Sequence, residues 1–263
     1  MALAMIEEAE KRGDLRPGMT VVEYTGGSTG SSLAFVCAVK GYRFRVVSSD
    51  AFAQEKLRSM QAFGADLEIM PSEDGKITGA LIRGMIERAE AIAQEQESYS
   101  TDQFNNRDSL VGYAGIGREL VQQLPGIDLF CAAVGTAGMI MGVASELRKL
   151  QPRPRIVVLE PTSSAVISTG KSGAHRVEGT AVGFVPPLLD LDVVDEVRTV
   201  DEEEARVTAR RLAAEEGIFA GTSSGLNVAA ALQLAQELGP GHIVATVACD
   251  TGLKYLAGDL FDV

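Results

Sequence analysis

Short apolar runs alternate with helical segments along almost the whole of this chain. The strand-like runs are rich in Val, Ile and Leu and lie at 20–24, 43–49, 66–70, 128–134, 155–160, 193–200 and 242–248. Helices are predicted at 1–12, 30–40, 53–63, 77–97 and 110–124, after the turn at 135–138, from 202 and from 224. Parallel strands need crossover helices and are buried on both faces, which gives such continuous apolar runs. The pattern therefore predicts an α/β fold with mostly parallel sheets.

The charge balance limits the class of partner. With 36 acidic and 24 basic residues the net charge is -12, which argues against binding to nucleic acid or to an anionic membrane surface. No apolar run reaches the roughly 18 residues that a membrane helix needs. The three cysteines, Cys37, Cys131 and Cys249, are widely spaced in apolar runs, so we expect buried free thiols in a reducing cytoplasm. With two histidines in the chain, no metal site is expected.

Four turns are rich in small residues, at 25–29, 135–138, 221–225 and 249–252. Small residues let a ligand approach the backbone, and the free amides of a helix start favour an anion. In parallel sheets such turns gather at the carboxyl ends of the strands, so we predict a site for an anionic small molecule. No turn spells the dinucleotide fingerprint G-x-G-x-x-G. Residues 221–225 fit the hydrolase motif G-x-S-x-G, but the acid and histidine that should follow are not suitably placed.

Seven segments occur in an order that points to one family. They are E-Y-T-G-G-S-T-G (23–30), Q-F-N-N (103–106), G-T-A-G-M (135–139), V-L-E-P (158–161), E-G-T-A-V-G-F-V-P (178–186), G-T-S-S-G (221–225) and D-T-G-L-K-Y-L (250–256). Together they resemble the landmarks of the fold-type II pyridoxal-phosphate enzymes, in particular the cysteine synthase and cystathionine β-synthase group. The resemblance covers nearly the whole chain.

The resemblance implies a role for each matching residue. Residues expected to bind the substrate carboxylate are Thr25, Gly26, Gly27, Thr29 and Gln103. Residues expected to bind pyridoxal 5'-phosphate are Ser28, Gly135, Thr136, Ala137, Gly138, Met139, Gly179, Ser223 and Asp250. A Ser opposite the pyridine nitrogen leaves that nitrogen unprotonated, which favours β-elimination and β-replacement. Ser28, Gly26 and Met139 stand where the family has Asn, Ser and Thr, which affects cofactor affinity and substrate identity. For Gln103 a solvated loop position is the alternative.

The family's Schiff-base lysine has no counterpart in the sequence. In the family it lies in a segment directly before a helix that resembles residues 1–12, and this chain begins at that helix. We therefore expect an N-terminally truncated chain with no catalytic lysine, catalytically inactive as given, with pyridoxal phosphate absent or held without a covalent bond. Lys56 and the other lysines are interpreted as residues of helix faces or loops.

The expected architecture is two three-layer αβα domains of the tryptophan synthase β-like type, with a cleft between them. Residues 12–108 would form the smaller substrate domain, and 1–11 with 109–263 an incomplete cofactor domain. The expected reaction is β-replacement, in which O-acetylserine and sulfide give cysteine. A Ser/Thr dehydratase or other β-lyase is one alternative, and a non-catalytic protein that binds an amino acid or phosphate is another. The resemblance also implies a homodimer.

Overall fold

The computed structural model describes residues 1–75, 77–95 and 97–262. The chain forms two compact units, the first from Met1 to Gly112 and the second from Tyr113 to the end of the described chain. Each unit contains a four-stranded sheet whose neighbouring strands are all parallel. The predicted α/β class with parallel sheets is confirmed.

The first unit has the strand order β3-β2-β1-β4. Its elements are α1 (Ala2–Arg12), β1 (Thr20–Tyr24), α2 (Ser28–Lys40), β2 (Arg43–Ser49), α3 (Gln54–Ala62), β3 (Asp66–Met70), α4 (Gly79–Ala93) and β4 (Ser98–Ser100). Strands β1 to β3 have the predicted bounds. Strand β4 was not predicted, because Ser-Tyr-Ser offers no apolar run and the strand depends on its pairing with β1.

Helices cover both faces of the first sheet. On one face Leu33 of α2, with Leu57 and Met60 of α3, packs against Val21 and Phe44. Helix α4 lies against β1, β2 and β4 and buries a separate set of apolar residues, so it covers the opposite face. This gives the three layers predicted for the unit.

Helix α1 belongs to the first unit, whereas the sequence interpretation placed residues 1–11 with the larger domain. Ile6 and Ala9 are buried in the same apolar cluster as α2. The guanidinium of Arg12 donates two hydrogen bonds to the carboxylate of Asp108, at 3.0 and 2.7 Å. The apolar face of α1 is thus covered by α2, which is the physical reason for the difference.

The second unit has the strand order β7-β6-β5-β8. Its elements are the C-terminal part of α5 (Asp108–Gln123), β5 (Leu129–Ala133), α6 (Gly138–Leu147), β6 (Arg155–Pro161), α7 (Val166–Thr169), β7 (Glu196–Val200), α8 (Glu202–Glu216), α9 (Thr222–Leu238) and β8 (Val244–Ala245), with 3-10 turns at Thr162–Ser164, Leu191–Val193 and Gly252–Tyr255. Leu226 and Leu234 of α9 and Ala205 of α8 pack on Leu129 and Val157 of the sheet. Phe130 and Val158, which alternate with these strand residues, are also fully buried, so both faces are covered.

Three strands of the second unit are shorter than predicted, and β5 (Leu129–Ala133) lacks one residue at each end of the expected 128–134. Residues 242–248 were expected to form one strand, but the ladder with β5 holds only Val244 and Ala245. Strand β7 begins at Glu196 rather than 193, because the 3-10 turn Leu191–Val193 occupies the preceding residues. The long irregular segment after β6 is anchored by Glu160, whose carboxylate accepts hydrogen bonds from the amides of Ile167 and Ser168 at 2.9 Å each.

Two further expectations concern the state of the cysteines and the presence of a membrane-spanning helix. All three cysteines are free, as predicted. Cys37 and Cys131 are buried, but Cys249 is exposed, because it lies beyond the short β8 where the chain has left the sheet. Among the described residues, no helix has the length and apolar character of a membrane span.

Candidate cofactor and substrate sites

The second unit brings the turn after β5 against the irregular segment at 179–181. A Cβ built on Gly135 would lie 2.2 Å from the carbonyl oxygen of Gly179, so this position has no room for a side chain. The amide of Ala181 donates to the carbonyl of Val134 at 2.9 Å. Two of the sequence-predicted cofactor residues, Gly135 and Gly179, are thus in direct backbone contact.

The turn that opens α9 joins the turn that follows β8. The amide of Gly221 donates to the carbonyl of Asp250 at 3.3 Å. The amide of Cys249 donates to the hydroxyl of Ser224 at 2.9 Å. Ser223, predicted to face the pyridine nitrogen, is buried in the first turn of α9 between these contacts, with 7% of its surface exposed.

Asn227 connects α9 to two strand ends, and the sequence analysis did not identify it. Its Oδ1 accepts a hydrogen bond from the amide of Ala133 at 2.7 Å, and its Nδ2 donates to the carbonyl of Val247 at 2.9 Å. Since Ala133 ends β5 and Val247 follows β8, this side chain fixes the start of α9 against both. The turns after β5, before α9 and after β8 therefore meet at one edge of the second sheet, as predicted.

The turn after β5 has the backbone of an anion site. Ala137 adopts left-handed angles, φ 66° and ψ -7°, at the N-cap of α6, and its side chain caps no amide. The hydroxyl of Thr136 accepts a hydrogen bond from the amide of Gly138 at 3.3 Å. The first turn of α6 carries no acidic side chain. A left-handed residue before a helix start turns successive amides toward one point, which suits a phosphate.

Tyr255 is a second residue that sequence reasoning missed at this edge. Its hydroxyl donates to Oδ2 of Asp250 at 3.0 Å, and burial, followed by the nearby carboxylate of Asp250, raises the pKa of the phenol. A Cβ on Gly221 would lie 2.2 Å from the Tyr255 ring. The phenol therefore stays neutral and holds Asp250 in place. The family motif at 250–256 was the available signal, since it contains both residues.

The first unit holds the predicted substrate loop at the carboxyl end of β1. The amide of Thr25 donates to the carbonyl of Val47 at 2.9 Å, and its hydroxyl accepts from the amide of Gly27 at 3.3 Å. Helix α2 begins directly afterward at Ser28, with Gly27 as N-cap. A Cβ on Gly26 would lie 2.2 Å from the ring of Phe52, so this ring occupies the space that a side chain at 26 would need.

Gln103 lies beside this loop and is not a solvated residue. It is 8% exposed, and its Nε2 donates to the carbonyl of Tyr24 at 2.6 Å. The backbone amide of Gln103 donates to the carboxylate of Glu23 at 3.0 Å. This carboxylate also accepts from the backbone amide of Tyr24 at 2.9 Å and from the hydroxyl of Thr101 at 2.7 Å. Burial raises the pKa of Glu23 to about 8. Glu23 thus ties the segment 101–103 to the strand that leads into the loop.

The lysines of the described residues differ in their exposure and in the groups around them. Three are paired with carboxylates, Lys11 with Glu8 at 2.6 Å, Lys40 with Glu10 at 2.7 Å and Lys149 with Glu146 at 2.6 Å. Lys171 is exposed, Lys254 half-buried, and Lys76 lies outside the described residues. Lys56 differs, since 2% of its surface is exposed and its Nζ lies 3.9 Å from the position of a Cβ on Gly27. Lys56 lies in helix α3, as predicted, and the face that carries it is buried beside the loop.

The sequence profile described as "Pyridoxal-phosphate dependent enzyme" matches residues 1–250. This chain belongs to that family. Pyridoxal phosphate is therefore the cofactor that the family places on this fold, and the chain is an enzyme by family. No group of His, Cys, Asp and Glu among the described residues could hold a metal ion.

Cysteine synthases and related enzymes are among the family members to which this chain is similar. A cysteine synthase of Staphylococcus aureus (strain Mu50 / ATCC 700699) is 40% identical over 264 residues, which cover 99% of this chain and 83% of that protein. An O-ureido-L-serine synthase of Streptomyces lavendulae is 38% identical over 265 residues, covering all of this chain and 80% of that protein.

Solved structures agree with the fold. A crystal structure of O-ureido-L-serine synthase superposes with a TM-score of 0.92 at 38% identity and covers 99% of this chain and 82% of that one. A hydrogen sulfide-producing enzyme of Fusobacterium nucleatum superposes with a TM-score of 0.91 at 34% identity, covering all of this chain and 79% of that one. The predicted resemblance to the cysteine synthase group is confirmed; the roles of individual site residues stay predictions.

Proposed function

We propose that this chain binds pyridoxal phosphate through the turn 135–139 and binds amino acids with a leaving group at the β-carbon. The left-handed Ala137 at the start of α6, in a turn whose Gly135 lies against the carbonyl of Gly179, is the observation that carries the proposal. Amides of this turn hold the phosphate, and Ser223 faces the pyridine nitrogen. When bound, the cofactor withdraws electrons from the α-carbon of the substrate.

The residues of the first unit supply the amino-acid site. Thr25, Gly26, Gly27 and Thr29 bind the α-carboxylate with backbone amides and hydroxyls, and Gln103, held by Tyr24, supports the loop from behind. Ser28 at the first position of α2 is the proposed partner of the cofactor ring. These donors fix the orientation of the substrate's α-carboxylate at the loop.

The reaction that we propose for this site, once a Schiff-base lysine completes it, is β-replacement of O-acetylserine by sulfide, which gives cysteine. The similarity to a cysteine synthase at 40% identity supports this choice. The similarity to an O-ureido-L-serine synthase and to a hydrogen sulfide-producing enzyme keeps a different nucleophile or a β-lyase reaction as the second candidate. Product analysis with O-acetylserine plus sulfide, against serine or cysteine alone, separates the two. We also propose the homodimer that the resemblance implies.

We further propose that this chain forms no Schiff base through its own lysines and has little or no turnover as given. The salt bridges of Lys11, Lys40 and Lys149 support this for those three residues. A chain without such an amine lacks both the covalent attachment and the base that moves the α-proton. Reduction with borohydride in the presence of pyridoxal phosphate should then leave no lysine adduct by mass spectrometry.

The cofactor proposal is tested by titrating the chain with pyridoxal phosphate and with pyridoxal. The phosphate form should bind at least about tenfold more tightly, since the charge-assisted bonds at the turn are lost with pyridoxal. Gly135→Ala should abolish this preference, because its Cβ meets the Gly179 carbonyl at 2.2 Å. Gly115→Ala in α5 is the matched control, since its Cβ meets nothing closer than the Arg118 side chain at 3.8 Å. Equal affinity for the two ligands would exclude the phosphate site.

A further inference from the structure

Residues 175–181 form a closed loop in the irregular segment of the second unit. Val177 is fully buried in the apolar cluster of this unit, and the hydroxyl of Thr180 donates to the carbonyl of Val177 at 2.8 Å. His175 begins the loop and Ala181 ends it, and the imidazole Nε2 lies 3.0 Å from the Ala181 carbonyl oxygen. One side chain thus joins the two ends of the loop.

The contact with Ala181 determines which ring nitrogen of His175 donates. A carbonyl oxygen can only accept a hydrogen bond, so Nε2 carries the proton. The other ring nitrogen, Nδ1, is buried and makes no hydrogen bond to any described residue. The polar contact of the imidazole within the described chain is therefore the one with the Ala181 backbone.

The backbone of Ala181 is hydrogen-bonded on both sides. Its amide donates to the carbonyl of Val134 at 2.9 Å, and its carbonyl accepts from His175. Its φ is 46°, in the left-handed region that residues with a Cβ seldom adopt. A residue persists in this region only where its surroundings hold it there. Loss of the bond from His175 should therefore let Ala181 leave this conformation.

The conformation of the loop bears on the turn 135–139 because the two segments are in direct contact. Val134 immediately precedes this turn. A Cβ on Gly135 would lie 2.2 Å from the carbonyl oxygen of Gly179, so the loop fills the space beside the start of the turn. A displacement at 179–181 would therefore change the surroundings of the amides that are the proposed phosphate ligands.

We propose that His175 is a positioning residue for phosphate binding at the turn 135–139. Its Nε2 proton holds the Ala181 carbonyl, and this keeps the loop in the position that directs the amides of the turn toward a phosphate. The proposal rests on the proposed function, because that function assigns the turn to the phosphate of the cofactor. No covalent bond is made or broken by His175.

The test measures the affinities of the full chain for pyridoxine 5'-phosphate and pyridoxine by calorimetric titration. These probes have no aldehyde, so they do not condense with lysines, and they differ only in the phosphate group. The ratio of their affinities therefore reports phosphate binding. His175→Phe keeps a ring but removes the donor to Ala181, and it should reduce this ratio about fivefold or more. His175→Gln has a side-chain amide that can donate, and it should restore most of the ratio.

His242→Phe is the matched control. His242 is the other histidine of the chain and is exposed before β8, so its change should leave the ratio as it is in the wild type. An unchanged ratio in folded His175→Phe, or equal losses in the Phe and Gln variants, overturns the proposal for His175. Equal affinities of the wild-type chain for the two probes would exclude the phosphate site, and this would overturn the proposed function and the role of His175 together.

A measurement on the wild-type chain covers the case in which His175→Phe does not fold. With 15N-labelled histidine, the ring of His175 should carry its proton on Nε2. Pyridoxine 5'-phosphate should slow the exchange of this proton with water more than pyridoxine does, since the loop and the bound phosphate stabilise the same turn. The signal of His242, assigned with His242→Phe, is the internal reference. A ring protonated on Nδ1 alone, or an exchange rate that the phosphate probe does not change, overturns the proposal.

Discussion

At the scale of single residues, the turn 135–139 of the second unit contains a strained alanine. Ala137 has φ 66°, in the left-handed region that costs a residue with a Cβ about 1 kcal/mol or more. Ala137→Gly should therefore raise the free energy of unfolding by about 0.5–1 kcal/mol, after the greater flexibility of glycine in the unfolded chain is subtracted. Urea unfolding followed by circular dichroism measures this.

Ala144 provides the control for this prediction. It lies inside the same helix α6 and is fully buried. Ala144→Gly should lower the free energy of unfolding by about 1 kcal/mol or more, since it adds backbone flexibility and removes a packed methyl group. The two substitutions are chemically identical and should have opposite signs. A loss of stability in both would show that strain at Ala137 is not significant.

Residue composition predicted the turns but not all residues around them. Gly135, Thr136 and the other small residues were identifiable because turns that admit a ligand need small side chains. The burial of Lys56 was not predictable, since its segment Q-E-K-L-R-S is charged and reads as a solvated helix face. Its position depends on how α3 is rotated against α2, and local sequence does not determine this rotation.

At the scale of secondary-structure elements, a side chain replaces part of a strand ladder. The pairing of β8 with β5 ends after Ala245. Beyond it, the hydroxyl of Thr246 donates to the carbonyl of Cys131 at 2.7 Å, and the carbonyl of Val247 accepts from Asn227. The apolar pattern at 242–248 correctly predicted a segment beside β5. It could not predict where backbone pairing gives way to side-chain bonds, because the apolar run continues past the end of the ladder.

Asn227 should therefore be required for the attachment of α9. Asn227→Ala removes the acceptor of the buried Ala133 amide and the donor to Val247, and leaving such groups unpaired should lower the free energy of unfolding by about 2–4 kcal/mol. Asn105, which is exposed and bonded only to Asp102 at 3.0 Å, is the control, and its change to Ala should cost less than about 0.5 kcal/mol. Both values follow from urea unfolding. Similar small losses in the two variants would contradict the structural role of Asn227.

At the scale of the whole molecule, the alternation of strands and helices predicted the fold class, because it is repeated over the length of the chain. Helix α1 shows the limit of this reasoning. Its sequence predicted a helix, but did not predict that α2 would be its neighbour. The division after Gly112, inside helix α5, also has no signal in the sequence, since the helical pattern continues without a break across it.

The buried Glu23 gives the stability of the molecule a specific pH dependence. Burial raises its pKa to about 8 in the folded chain, against 4.5 as its ordinary value. The folded state binds this proton more tightly than the unfolded state, so protonation of Glu23 stabilises the fold. This stabilisation is complete below pH about 4.5 and is lost as the pH rises through 8. The free energy of unfolding should fall by up to ~1.4 kcal/mol per pH unit within this interval.

Glu23→Gln should remove this dependence. The amide still accepts hydrogen bonds from Thr101 or Gln103 but does not titrate, so its stability should vary less between pH 5 and 8 than that of the wild type. Burial lowers the pKa of the Met1 amine, so this group makes the folded state more stable as the pH rises towards 8. Both proteins contain the amine, and its effect therefore cancels when their free energies of unfolding are subtracted. Urea midpoints at pH 5, 6, 7 and 8 measure the effect. If the urea midpoints of the two proteins change in parallel with pH, Glu23 is ionised over the whole range. Its three hydrogen bonds would then stabilise the carboxylate by more than its removal from water costs.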